Sequence, residues 1–148
     1  MHGKILIDSG PLIALFDVDD KFHKEVQDFF SKHDFGFIST LAVFTEVSHM
    51  LDFSVNAQQD FYQWAMHHGV IISDINQNDM LRLVELTKKY EDLPMDFADA
   101  TLVITAEKTG IWEIISLDKH FDIYRLSADK SLSEKKTGRE KLHNVLNH

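Results

Sequence analysis

The chain has 148 residues, 44% of them hydrophobic and 26% charged, which is the size and balance of one folded domain and excludes a disordered chain. With no cysteine, disulfides and thiolate metal sites are excluded as well. The net charge of −9 is uneven: residues 127–148 hold five basic residues (Lys130, Lys135, Lys136, Arg139, Lys141) against three acids, so a tail of +2 follows a body of −11 that lacks the basic footprint of a bulk phosphate binder. A bound divalent cation would reverse that field locally, so chemistry on phosphates stays open.

In chain order, residues 4–7 form a short apolar run without alternation, as expected for a strand covered on both faces. It is too short for a signal peptide, and no later stretch is long enough to span a bilayer, so a cytoplasmic protein without membrane contact is expected. Pro11 after Ser9-Gly10 suits the first turn of a helix. Phe22, Val26, Phe29 and Phe30 recur at helical spacing and predict a helix over 20–33. Residues 35–38 predict a second strand, and Thr40 caps a helix reaching about residue 51. A helix over 57–68 buries Phe61, Trp64 and Ala65, residues 70–72 make a third strand, and 77–90 make a helix through Met80, Leu83, Val84 and Thr87. After the loop Asp92-Leu93-Pro94 comes the strongest helix, 96–108, stopped by Gly110. Strands follow at 113–117 and, shorter, at 123–126. Alternating strands and helices imply an α/β domain over 1–126, with a mainly parallel sheet flanked by helices. The polar stretch 127–148 is a tail in which Leu142, Val145 and Leu146 suit a short terminal helix.

Carboxylates stand where the apolar pattern points inward. Asp8 and Asp118 end strands, where open α/β sheets bind ligands, although each also suits a helix cap. Glu46 shares a helical stripe with Ala42, Val43 and Met50; it either interrupts a buried face or lies at its edge and reaches water. Asp96 is a good N-cap, and Asp99, three residues on, leads into Leu102, Val103 and Ala106. Like charges brought together need a neutraliser, and hard oxygen ligands without sulfur favour Mg²⁺ or Mn²⁺. Such ions activate water and stabilise charge on a phosphodiester, which points to metal-assisted phosphodiester hydrolysis.

Four segments in order, Ile5-Leu6-Ile7-Asp8-Ser9-Gly10-Pro11-Leu12-Ile13, Phe44-Thr45-Glu46-Val47, Leu93-Pro94-Met95-Asp96-Phe97-Ala98-Asp99-Ala100 and Ser116-Leu117-Asp118-Lys119-His120-Phe121, resemble the PIN-domain family and, within it, the VapC-like toxin ribonucleases. The resemblance spans about residues 4–125. It implies a three-layer fold around a central, mainly parallel sheet. It implies a site in which Asp8, Glu46, Asp99 and Asp118 are catalytic, with Asp8, Asp99 and Asp118 as ligands for one or two Mg²⁺ or Mn²⁺ ions. Asp96 matches a less constant acid, and Ser9 and Ser116 match hydroxyl positions that orient metal or carboxylate. An RNA substrate, 3′-hydroxyl and 5′-phosphate products, a cognate antitoxin and a homodimer are implied on the same basis. Phe53, Tyr62 and Trp64 are aromatic candidates for partner contact or for core packing.

One departure concerns the number of metals. Many relatives carry an acid two residues after the last strand-end aspartate; here His120 stands there, either touching substrate phosphate or lying on a surface turn. The alternatives are a PIN ribonuclease of RNA processing without an antitoxin, and a degenerate PIN or flavodoxin-like binding or regulatory module. A phospho-acceptor domain usually wants an acidic pair at its first strand end, whereas this strand ends in Asp8-Ser9.

Overall fold

A computed structural model of the chain describes residues 3–92, 95–117 and 121–126, with residues 121 and 122 described by backbone alone. Asp118, His120, Leu93, Pro94 and the tail 127–148 with its expected terminal helix lie outside the described residues.

The elements follow the apolar pattern closely. β1 (Lys4–Ile7) is a buried run ended by Asp8, and α1 (Ser9–Phe16) starts there because the Asp8 side chain accepts the Ser9 N–H. α2 (His23–Lys32) buries Val26 and Phe29. β2 (Gly36–Thr40) runs directly into α3 (Leu41–Met50), whose cap is the Thr40 hydroxyl, and Ser54 caps α4 (Val55–Met66) in the same way. β3 (Val70–Ser73) is followed by a 3-10 turn, Gln77–Asp79, and α5 (Met80–Lys89). α6 (Phe97–Thr109) is capped by Asp96 and closed by Gly110, whose φ of 73° is the left-handed conformation that glycine adopts without strain. β4 (Glu113–Leu117) and β5 (Phe121–Arg125) complete the sheet.

The five strands lie in the order β3-β2-β1-β4-β5. β1 to β4 are parallel and β5 returns antiparallel to β4. The chain steps from β1 to β2 to β3 in one direction and then crosses back over β2 and β1 to β4. Right-handed crossovers therefore put α1 to α4 on one face and α5 and α6 on the other, making three layers.

The main core joins both faces of the central strands to Leu12, Phe29, Val43, Val47, Phe61, Leu102 and Ala106. A second cluster, Leu86 and Tyr90 of the α5 segment against Ala100, Val103 and Ile104, covers the other side of α6. This double cover explains why α6 is buried nearly all round from Ala100 to Ala106.

Two helix faces differ from the sequence reading, and the aromatic candidates separate. The buried stripe of α5 is Leu83, Leu86 and Tyr90; Met80, Val84 and Thr87 face out, because α5 packs on α6 through one narrow seam. In α3 the stripe is Val43, Val47 and Leu51 rather than Ala42, Val43 and Met50, so Glu46 stands beside the buried face and reaches solvent. Trp64 is half-buried, with its ring 5.6 Å from Phe16 and 6.1 Å from Phe30, so it is core packing, whereas Phe53 and Tyr62 are exposed. No helix among the described residues is long and apolar enough to cross a membrane.

Candidate active site

The reversal of strand order places a topological switch point between β1 and β4, and ligands of open α/β sheets bind beyond the carboxyl ends of strands at such a point. Asp8 stands there. The β1–β4 pairing pairs Ile7 with Ile115, and the Asp8 N–H continues it to the Ile115 carbonyl at 3.0 Å. That register sets Asp8 beside Ser116, whose buried hydroxyl donates to Asp8 Oδ2 at 3.2 Å. Asp8 Oδ1 accepts the Ser9 N–H at 2.7 Å. The cap reading of Asp8 is thus met by one oxygen, which starts α1, while the other is held by β4. Close contact of these elements depends on Gly10, where an added Cβ would come within 2.9 Å of Leu117 Cβ.

Ser9 carries the arrangement across to α3 by donating its hydroxyl to Glu46 Oε1 at 3.2 Å. Although Glu46 reaches solvent, the surrounding protein removes enough water to push its carboxyl above the ordinary 4.5; the Ser9 bond opposes this, and the negative charges of Asp8 and Asp96 push it further. Burial is thus the main cause of the raised Glu46 carboxyl, and the charges at the end of β1 and the start of α6 act in the same direction.

Asp96 is the N-cap of α6, accepting the Asp99 N–H at 2.7 Å. Asp99 is half-buried in the first turn of α6, directly preceding the buried run. Ser116, Asp8, Ser9 and Glu46 thus form one chain of hydrogen bonds, and Asp96, whose charge bears on Glu46, stands at the start of α6. Among the described residues, no three Asp, Glu or His side chains converge closely enough to chelate one ion. The donor set still fits a hard cation: it consists of carboxylates and hydroxyls, and the charges of Asp8 and Asp96 add to the burial that raises the Glu46 carboxyl.

The structure also shows links for which the sequence carried no local signal. Ser39, at the end of β2, donates to the Ile7 carbonyl at 2.8 Å, and the Thr40 and Thr101 hydroxyls meet at 2.8 Å. Thr40 stood out in the sequence only as a cap, and Thr101 did not stand out at all.

No family model matches this sequence, and no curated protein matches it. Six solved chains do match in structure. Among them is the VapC20 toxin of Mycobacterium tuberculosis, described as cleaving the sarcin-ricin loop, with a TM-score of 0.69 at 18% identity over 79% of this chain and 92% of that one. The fold is PIN-like. At this identity the property the two chains share is the fold. The expected three-layer architecture with a mainly parallel sheet is borne out, and in this PIN-like frame Asp8 lies at the end of the central strand.

Proposed function

We propose that the protein is a metal-dependent endoribonuclease, the toxin of a toxin–antitoxin pair. The observation that carries this reading is the hydrogen-bonded line from Ser116 through Asp8 and Ser9 to Glu46 at the switch point of a PIN-like sheet, with the Asp96 charge pressing on Glu46. Asp8, Asp99 and Asp118 would hold one or two Mg²⁺ or Mn²⁺ ions, with Ser9, Ser116, Asp96 and His120 in supporting places. Such an ion, when bound, lowers the pKa of water and offsets charge developing on a phosphodiester.

The chain's own groups have separable tasks in this reading. Ser116 orients Asp8 Oδ2, and the α1 cap bond fixes Oδ1, so the carboxylate is held at both ends. Ser9 fixes Glu46 Oε1. The raised proton affinity of Glu46 favours its taking up a proton, the direction that a general base on attacking water requires. The products would carry a 3′-hydroxyl and a 5′-phosphate.

The substrate is RNA, and ribosomal RNA containing the sarcin-ricin loop is the first species to test, given the activity described for VapC20. A cognate antitoxin covering the acidic cleft, a homodimer and a cytoplasmic location belong to the same proposal. The test is incubation of purified protein with total RNA in Mn²⁺ and in EDTA, beside Asp8→Asn. Cleavage that requires metal and disappears in the variant is expected; metal-independent or Asp8-independent cleavage would overturn the reading.

A further inference from the structure

Glu46, Asp96 and Asp99 sit on two helices, and the charges of Asp8 and Asp96 both bear unfavourably on Glu46. A hydrogen-bonded tie between the starts of α3 and α6 would fix the spacing of these acids, and the structure holds one.

Thr40 and Thr101 are each only 1% exposed, and their hydroxyl oxygens lie 2.8 Å apart. A hydroxyl has a single proton to give. Thr101 gives its proton to the Ala98 carbonyl at 2.6 Å, so Thr40 must be the donor to Thr101. Thr40 in turn accepts the Val43 N–H at 3.3 Å as the cap of α3. The bonds therefore run in one direction: Val43 N–H to Thr40, Thr40 to Thr101, Thr101 to the Ala98 carbonyl. One end is the first turn of α3, which leads to Glu46; the other is the first turn of α6, between Asp96 and Asp99. Next to Thr40, buried Ser39 donates to the carbonyl of Ile7, the residue before Asp8. Two adjacent hydroxyl residues thus fasten α3 to both of the other acid-bearing elements.

We infer that Thr40 and Thr101 are positioning residues that set the spacing between the acids of α3 and α6, acting through the helix starts rather than by touching substrate or metal. The inference rests on the metal-site reading above and adds residues to it. Ordered hydroxyl chains polarise one another and become costly when one member is removed, so the tie is stiff as well as specific. Valine at 101 keeps the shape of threonine while deleting both the acceptor for Thr40 and the donor to Ala98.

The test measures Mn²⁺ affinity by electron paramagnetic resonance, without RNA, for the wild type, Thr101→Val, Thr101→Ala, Thr101→Ser and Asp8→Asn, each verified as folded by circular dichroism. Thr101→Val and Thr101→Ala should bind Mn²⁺ about 10-fold more weakly, with Thr101→Ser restoring affinity to within about 2-fold, on the scale of outer partners that orient ligands. Cleavage should lose kcat more than KM in the same two variants and recover with serine. If either hydroxyl-free variant folds and binds Mn²⁺ like the wild type, the inference is overturned, even when its melting temperature falls. A folded wild type that binds no Mn²⁺ would instead overturn the metal-site reading beneath it, which keeps the two failures distinguishable.

Discussion

Asp8 performs two tasks that substitution can separate. Its Oδ1 starts α1 by accepting the Ser9 N–H, and its Oδ2 is held by Ser116, while its charge raises the proton affinity of Glu46. Asparagine retains an oxygen for the cap and serves that position about as well as aspartate, so Asp8→Asn should change stability by no more than about 0.5 kcal/mol. Relief of repulsion with Glu46 acts in the stabilising direction. Alanine removes the cap, at a cost of about 1 kcal/mol. For a chain of this size that corresponds to a melting temperature lower by about 2–4 °C. Thermal unfolding in EDTA, followed by circular dichroism, should place Asp8→Asn at or above the wild type and Asp8→Ala below it. Both variants should lose metal-dependent RNA cleavage. Equal destabilisation by asparagine and alanine would refute the cap assignment, and cleavage by Asp8→Asn at the wild-type rate would refute the ligand assignment.

Glu46 gives a pH prediction of definite sign. Its carboxyl is raised in the fold, so between 4.5 and the raised value the folded state binds more protons than the unfolded one, and its contribution to stability declines as pH rises through that window. Glu46→Gln should therefore gain more over the wild type at pH 7 than at pH 4 in EDTA; the reverse order in melting temperature would contradict the raised carboxyl. Mn²⁺ at about 100 times its dissociation constant should stabilise the fold by about 2.7 kcal/mol. A metal titration of the melting temperature checks this, and the shift should vanish in Asp8→Asn. Gly10→Ala would drive a Cβ against Leu117, costing about 1–3 kcal/mol and parting α1 from β4. Denaturant unfolding and the cleavage rate should both fall, and a wild-type midpoint would show that the contact is easily relieved.

Much of the fold was legible in local pattern. The apolar run of β1 ends where Asp8 begins a helix, Thr40 and Asp96 cap the helices they were expected to cap, and Gly110 closes α6. These signals are short-range, because capping bonds join residues one to three apart and burial repeats with the helical or strand period. The same locality explains the misjudged faces. Periodicity reports that α5 is amphipathic, but Met80 and Val84 satisfy the apolar pattern as well as Leu86 and Tyr90 do, and only docking on α6 chooses between them. It explains Glu46 too: the helical period allows a stripe through Ala42, Val43 and Met50, whereas the packed stripe is Val43, Val47 and Leu51.

The composition by itself determined that no metal site is built on thiolates, and the sequence order marked which acids end strands or begin helices. The tertiary structure alone decided which of them meet. Ser116 reaches Asp8 across 108 residues, Ser9 reaches Glu46 across 37, and Thr40 reaches Thr101 across 61, none of which a local window contains. These meetings depend on strand order and on the face each crossover takes, and those are settled by burying the whole sheet at once rather than by the preferences of any one segment.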